Sequence, residues 1–255
     1  MKPERSRPAR RGIYVLPTLF TLGNILCGFS SIVSSADGAF ALAANLIVLA
    51  AVLDALDGKV ARLAHATSAF GLELDSLADV VSFGVAPAML AYSWGIRGLP
   101  RLGWVAGFFF LIAGAMRLAR FNAQAATADS RYFVGLPIPI AAGTLAAVVS
   151  YRPDVLRERT ELALAVGLIF VLSFLMVSTV RYHSFKDLDL QKRQRLTTLL
   201  WLVLLLCVVA LHPQAALLVA SVAYTLSGPV LRFISFLRPR PPEEASTSRG
   251  AVHHG

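Results

Sequence analysis

Asp54, Asp57, Glu73, Asp75 and Asp79 sit inside two stretches that otherwise read as apolar, membrane-spanning helices. One aspartate at the centre of a span costs about 2.5–3.5 kcal/mol, so four without compensation would cost roughly 10–14 kcal/mol. A membrane helix keeps such residues only with a partner. Asp54 and Asp57 are three apart and share a helix face; Asp75 and Asp79 are four apart and share another. The turn between the two helices centres near Ala66-Thr67. Asp57 lies about as far before it as Asp75 lies after it, and Asp54 matches Asp79 in the same way. An antiparallel pair therefore brings all four carboxylates to one depth, roughly 13–19 Å from the turn at 1.5 Å per residue. With no His or Cys among them, they suit a hard divalent cation: Mg²⁺, Mn²⁺ or Ca²⁺. Such a cation neutralises the buried charge and keeps positions open for water and phosphate oxygens. The competing reading is structural ion pairing with Lys59, Arg62 or Arg120, which accounts less well for the regular spacing. Glu73 turns away from Asp75 around the helix and is left out of the set.

The intervening residues are small or basic. Gly58 follows Asp57 and Ala61 comes one turn later. There a flat or bulky group can approach the backbone, although close helix packing also selects small residues. Arg62 places a cation suited to a phosphate near the end of the helix. Ser68 opens the next span, where its hydroxyl can cap the helix or bond a ligand.

The whole chain must be a scaffold for this cluster. It has 255 residues, of which 56% are hydrophobic and only 15% charged. That balance excludes an ordinary soluble enzyme and a disordered chain. Eight spans of about 20 residues use about 160 residues, which predicts an all-α polytopic membrane bundle with short loops and no large extramembrane domain. The spans are placed at 16–35, 40–64, 69–95, 103–124, 134–151, 161–180, 197–212 and 214–236, separated by Gly, Pro, Asp and Ser breaks. The first run, Leu16 to Val33, follows a basic tail but reads as a retained span because further long apolar runs follow. Residues 13–237 form the membrane domain, and the polar tails 1–12 and 238–255 are expected to be disordered. Cys27 and Cys207 lie in apolar runs and read as small hydrophobes.

The net charge is +9. The basic residues fall between apolar runs, so they point to lipid headgroups and topology, with no nucleic acid as partner. With both termini in the cytoplasm, Arg97, Arg101, Arg152, Arg157 and Arg159 fall outside and the other nineteen Lys and Arg fall inside. This asymmetry sets an even number of spans and turns the acidic cluster toward the cytoplasm. Arg152, Arg157 and Arg159 are the discordant group.

The run Asp54-x2-Asp57-Gly58-x2-Ala61-Arg62-x8-Gly71-x3-Asp75-x3-Asp79 resembles the full signature of the CDP-alcohol phosphatidyltransferases. Leu22 to Phe29, Ser76 to Ala88, Arg117 to Asn122 and Gly135 to Pro139 are similar to the membrane-embedded, serine-using branch of that family. The resemblance implies that Asp54, Asp57, Asp75 and Asp79 hold one or two divalent cations, Mg²⁺ or Mn²⁺, with Ca²⁺ a further candidate occupant. It implies CDP-diacylglycerol as donor, bound by Thr21, Asn24, Asp54, Gly58, Ala61, Arg62, Ser68 and Asp75, with Asp79 as general base. It also implies membrane lipids as surroundings, a homodimer, and a bacterial inner (plasma) membrane.

On this footing the acceptor is L-serine, whose carboxylate needs a cation. Arg117, Arg120 and Asn122, at the cytoplasmic end of the fourth span, are the candidates; their other reading is topology anchoring and snorkelling. Inositol phosphate and glycerol phosphate are rival acceptors. An ion-coupled transporter is the rival outside enzymes, and it leaves the gaps around Gly58, Ala61 and Arg62 unexplained. Gly103, Gly107 and Gly114 suggest close helix packing, with packing between subunits one option.

Overall fold

In the computed structural model, residues 15–63, 69–124, 132–183 and 212–237 are described. They form a helical membrane bundle: α1 (Val15–Ala36), α2 (Phe40–Leu63), α3 (Ala69–Asp79), a π-helical segment (Val80–Val85), α4 (Ala86–Trp94), a 3-10 turn (Ile96–Gly98), α5 (Pro100–Gln124), α6 (Ile138–Tyr151), α7 (Arg159–Val177) and α8 (Pro213–Leu237). Among the described residues, six helical stretches are long and apolar enough to cross a membrane, and α6 is a shorter apolar helix. The chain is a multi-pass membrane protein. The seventh span expected at 197–212 and both tails lie outside the described residues, apart from His212.

The burial pattern is that of a protein dissolved in lipid. Leu19, Leu22, Leu26 and Phe29 of α1 face outward, whereas Thr21, Asn24, Ser31 and Ser35 of the same helix are buried. Apolar side chains lose nothing by facing acyl chains, so the inner face is free to carry small and polar groups that pack closely and bond across helices. Ser31 Oγ donates to the Ala43 carbonyl at 2.9 Å, and Ser82 Oγ donates to the Asn24 carbonyl at 2.9 Å. α6 is apolar nearly all round and lies in the centre, where Ile138, Ala141, Ala142 and Leu145 are fully covered. It packs against α2, α4, α7 and α8, while α1 packs against α2, α3, the π segment and α4.

Several boundaries have local causes. α1 ends where Gly38 takes φ +78, a left-handed conformation that lets the Ala39 N–H return to the Ser34 carbonyl at 2.8 Å. The span expected to start at 134 begins as a helix only at Ile138. Gly135 takes φ +83, and Tyr132–Val134 pair antiparallel with Arg181–His183 instead. The same pairing takes the residues after Val177 out of the sixth predicted span. Gly103 and Gly114 are used within the chain: added Cβ atoms would meet the Ile96 carbonyl oxygen and the Ile138 side chain. Those two glycines thus serve packing inside one subunit.

The single helix expected over 69–95 is interrupted by the π segment. Pro87 lacks an N–H and would leave the Phe83 carbonyl without its helical donor. The wider register accommodates this, with the Ala86 N–H reaching back to the Val81 carbonyl. The shift begins directly after Asp79 and carries Ser82 onto α1 at Gly28. A Cβ on Gly28 would lie 2.3 Å from Ser82 Oγ and 2.8 Å from Ser82 Cα. Because the Ser82 backbone cannot yield cheaply, overpacking here should cost about 1–3 kcal/mol, against at most about 1 kcal/mol gained in helix propensity. Gly28→Ala should therefore lower the thermal midpoint of the detergent-solubilised protein. Gly143→Ala, whose Cβ would meet nothing within 4 Å, should leave it unchanged or raise it.

Candidate functional site

α2 contributes Asp54 and Asp57, and α3 contributes Asp75 and Asp79. One carboxylate oxygen from each of Asp54, Asp57 and Asp75 lies within 4.8 Å of the other two. Asp79 adjoins this triad, one helical turn beyond Asp75 and within electrostatic reach of Asp54. The four side chains are thus a group of three with a fourth beside it, all on one side of their helices. Glu73 is exposed.

α1 locks the group in place. Thr21 Oγ1 donates to Asp57 Oδ2 at 3.1 Å. Asn24, one turn after Thr21, is completely buried. Neither atom of its amide has a hydrogen-bond partner, and the same holds for Asp75 Oδ1 and Asp79 Oδ1. Among the described residues these are the buried side-chain atoms left without partners. Native structures rarely leave such atoms unmatched, and several together mark a place where something else binds.

A divalent cation fits the donor set. The oxygens are all carboxylate, three are close enough to share one ion, and two buried carboxylate oxygens are unused by the protein. Next to the triad, a Cβ at Gly58 would meet nothing within 4 Å, so the α2 backbone there is open to a ligand. The Ala61 and Arg62 side chains and all of Ser68 lie outside the described residues.

The basic residues of α5 divide in two. Arg117 is buried, stacks its guanidinium 5.2 Å from the centre of the Phe121 ring, and lies within electrostatic reach of Asp79. Asn122 Nδ2 donates to Ser76 Oγ at 2.8 Å, which ties the end of α5 to α3 beside Asp75. Arg120 lies against the end of α7. Its guanidinium donates to the carbonyls of Val177 at 3.0 Å, Met176 at 3.3 Å and Ser178 at 3.4 Å. The last carbonyls of a helix have no partner within it, and a cation is the best cap for them.

Sequence reasoning missed Ser82 and the π segment that aims it. The pair Gly84 and Pro87 was the available signal. It also missed Tyr224 of α8, which lies within electrostatic reach of Arg117. No local pattern pairs residues so far apart in the chain.

A family model described as CDP-alcohol phosphatidyltransferase matches residues 14–173. The chain belongs to this family. Among curated CDP-alcohol phosphatidyltransferase relatives, a CDP-diacylglycerol–serine O-phosphatidyltransferase of Helicobacter pylori (strain J99) is 39% identical over 224 residues, 87% of this chain and 92% of the relative. The enzyme of the same name from Bacillus subtilis (strain 168) is 38% identical over 171 residues, 67% of this chain and 91% of the relative. An archaetidylserine synthase of Methanothermobacter thermautotrophicus is 37% identical over 169 residues, 66% of this chain and 69% of the relative.

If the triad holds a cation, the folded protein gains stability with metal concentration. The gain is about 2.7 kcal/mol at a hundredfold excess over Kd. Titrating Mn²⁺ into the metal-free protein during thermal melts should raise the wild-type midpoint. Asp54→Asn and Asp75→Asn should abolish the rise, and Glu73→Gln should retain it.

Proposed function

We propose that this chain transfers the phosphatidyl group of CDP-diacylglycerol to the hydroxyl of L-serine, giving phosphatidylserine and CMP. The observation that carries the chemistry is the half-buried Asp54–Asp57–Asp75 triad with Asp79 beside it. The printed names of the relatives from Helicobacter pylori and Bacillus subtilis support serine as acceptor.

Asp54, Asp57, Asp75 and Asp79 would hold one or two divalent cations, Mg²⁺ or Mn²⁺. When bound, such an ion neutralises charge on the pyrophosphate and so eases departure of CMP. The remaining work belongs to the chain. The open backbone at Gly58, with Ala61, receives the nucleotide, and Arg62 and Ser68 bond its polar groups. Thr21 fixes the rotamer of Asp57, and Asn24 offers its unused amide from the first helix. Asp79 accepts the proton of the serine hydroxyl as the serine oxygen bonds to the diacylglycerol-linked β-phosphorus. The bond from that phosphorus to the bridging oxygen then breaks, and CMP carries that oxygen away. Asp79 afterwards releases its proton to water. Arg117 and Asn122 stand on the acceptor side, and Arg120 supports them by holding the end of α7.

The polar halves of both substrates and the excess of basic residues on the same side support a site at the cytoplasmic face of the membrane. In a bacterial cell that is the plasma membrane. The diacylglycerol tails remain in the bilayer, so the cavity opens laterally to lipid as well as to water. The enzyme works as a homodimer.

Supplied with CDP-diacylglycerol, Mn²⁺ and labelled serine, glycerol phosphate or inositol phosphate, the purified protein should make phosphatidylserine in preference. A chelator should stop the reaction. Asp79→Asn should lower kcat by about 10²–10⁴-fold, the range for loss of a general base. Preferential use of either phosphorylated alcohol would reject serine as the acceptor.

A further inference from the structure

Asp57 and Asp79 are held in different ways. Thr21 Oγ1 bonds the Asp57 carboxylate directly. Asp79 Oδ1 is buried without a hydrogen-bond partner, so the protein offers that oxygen nothing to fix it. The place of Asp79 is therefore set through its backbone. On its N-terminal side α3 is tied to α5, where Asn122 Nδ2 donates to Ser76 Oγ at 2.8 Å. On its C-terminal side the π segment begins at once, and Ser82, three residues on, bonds to α1.

Ser82 is completely buried, and its hydroxyl donates to the Asn24 carbonyl at 2.9 Å. Within α1 that carbonyl already accepts the helical bond from the Gly28 N–H, so helix formation does not call for a second one. The two backbones also meet closely: a Cβ on Gly28 would lie 2.8 Å from Ser82 Cα. α1 thus grips both halves of the acidic set. Thr21 holds α2 at Asp57, while Asn24 and Gly28 hold the segment that follows Asp79. The Asn24 amide, buried and unpartnered, lies between the two ties. The relation between Asp79 and the α2 aspartates is therefore carried by α1.

We infer that Ser82 is a positioning residue: its bond to α1 sets Asp79 against the Asp54–Asp57–Asp75 triad and so aims the base at the acceptor hydroxyl. The inference rests on the phosphatidyltransferase reading above, in which Asp79 is the base. The Ser82 hydroxyl is spent on the Asn24 carbonyl and acts through Asp79. Such a tie matters because a shift of about 1 Å in the reacting geometry can cost roughly a hundredfold in rate.

Ser31 supplies a matched control. Its hydroxyl donates to the Ala43 carbonyl at 2.9 Å, it is as fully buried as Ser82, and it too joins two helices. It lies two turns beyond Asn24 on α1. In Ser82→Ala and in Ser31→Ala the abandoned carbonyl keeps its helical donor, so both variants should fold. Their thermal midpoints should drop by similar small amounts, and Mn²⁺ should still raise both. Assayed well below those midpoints, Ser82→Ala should lose about ten- to a hundredfold in kcat, with KM for serine and for CDP-diacylglycerol unchanged. Ser31→Ala should keep the wild-type kcat. Gly28→Ala retains the Ser82 hydroxyl but forces the two backbones apart, and it should lower kcat with both KM values unchanged. Equal kcat in the two serine variants, or a Ser82→Ala defect confined to KM, would overturn this inference alone. Should Ser82→Ala not fold, a wild-type kcat in Gly28→Ala would overturn it. No phosphatidylserine from the wild type would overturn the reading on which it rests.

Discussion

The governing constraint is the electrostatic cost of gathering four carboxylates within an apolar bundle. Each is unfavourable alone at that depth, and mutual repulsion makes the group worse. Only a bound cation and fixed donors make such a group tolerable, so the neighbouring helices are arranged to supply them. α1 is the bracket: it packs on α2, α3 and the π segment, and its inner face carries the Thr21 hydroxyl bonded to Asp57. That tie also explains the inverted look of α1, with leucines outward and polar groups buried. The lipid accepts the leucines at no cost, so the interior is free for chemistry.

The π segment follows from the same constraint. Asp75 and Asp79 must face α2, while the next turn must meet α1 without clashing. A regular helix carries every residue around by the same angle, and Pro87 would break its bonding. One widened stretch resolves both demands, since it feeds the Ala86 N–H to Val81 and sets Ser82 on the Asn24 carbonyl. Placed directly after the proposed base, it fixes the orientation of Asp79 from its C-terminal side. Irregular helix geometry is tolerated at membrane depth where it is buried in protein, as Ser82, Phe83 and Gly84 are.

The parts legible in the sequence were those written in local periodicity. Apolar runs gave the spans of α1, α2, α5 and α7 to within a few residues, and three- and four-residue spacing put the aspartate pairs on common faces. Four carboxylates without His or Cys named the class of ion by donor hardness alone. Features that depend on contacts between distant segments stayed hidden. Arg120 looked like Arg117 in sequence, and only the position of the α7 end separates a helix cap from a buried cation stacked on Phe121. Gly135 and the strand pairing of residues 132–134 with 181–183 shortened two predicted helices, because a three-residue pairing has no periodic signature. Asp79 read as an equal member of a ring, whereas in the fold it adjoins a triad.

This division bears on how one family can serve several acceptors. In the proposed reaction the signature residues on α2 and α3 would face the nucleotide and the pyrophosphate, which are common to every reaction that starts from a CDP-linked lipid. They carry no information about the alcohol. In the proposed reaction the acceptor side is that of Arg117 and Asn122 on α5, outside the signature. Arg117 is buried with its guanidinium against the Phe121 ring, whereas Arg120 is held at the end of α7. Selectivity in such a site depends on how many cations remain uncommitted next to the base. With one available, a carboxylate is matched and a phosphate monoester is left partly unneutralised in a medium that penalises residual charge. Acceptor choice can therefore change through helices outside the signature while the metal-binding machinery stays as it is.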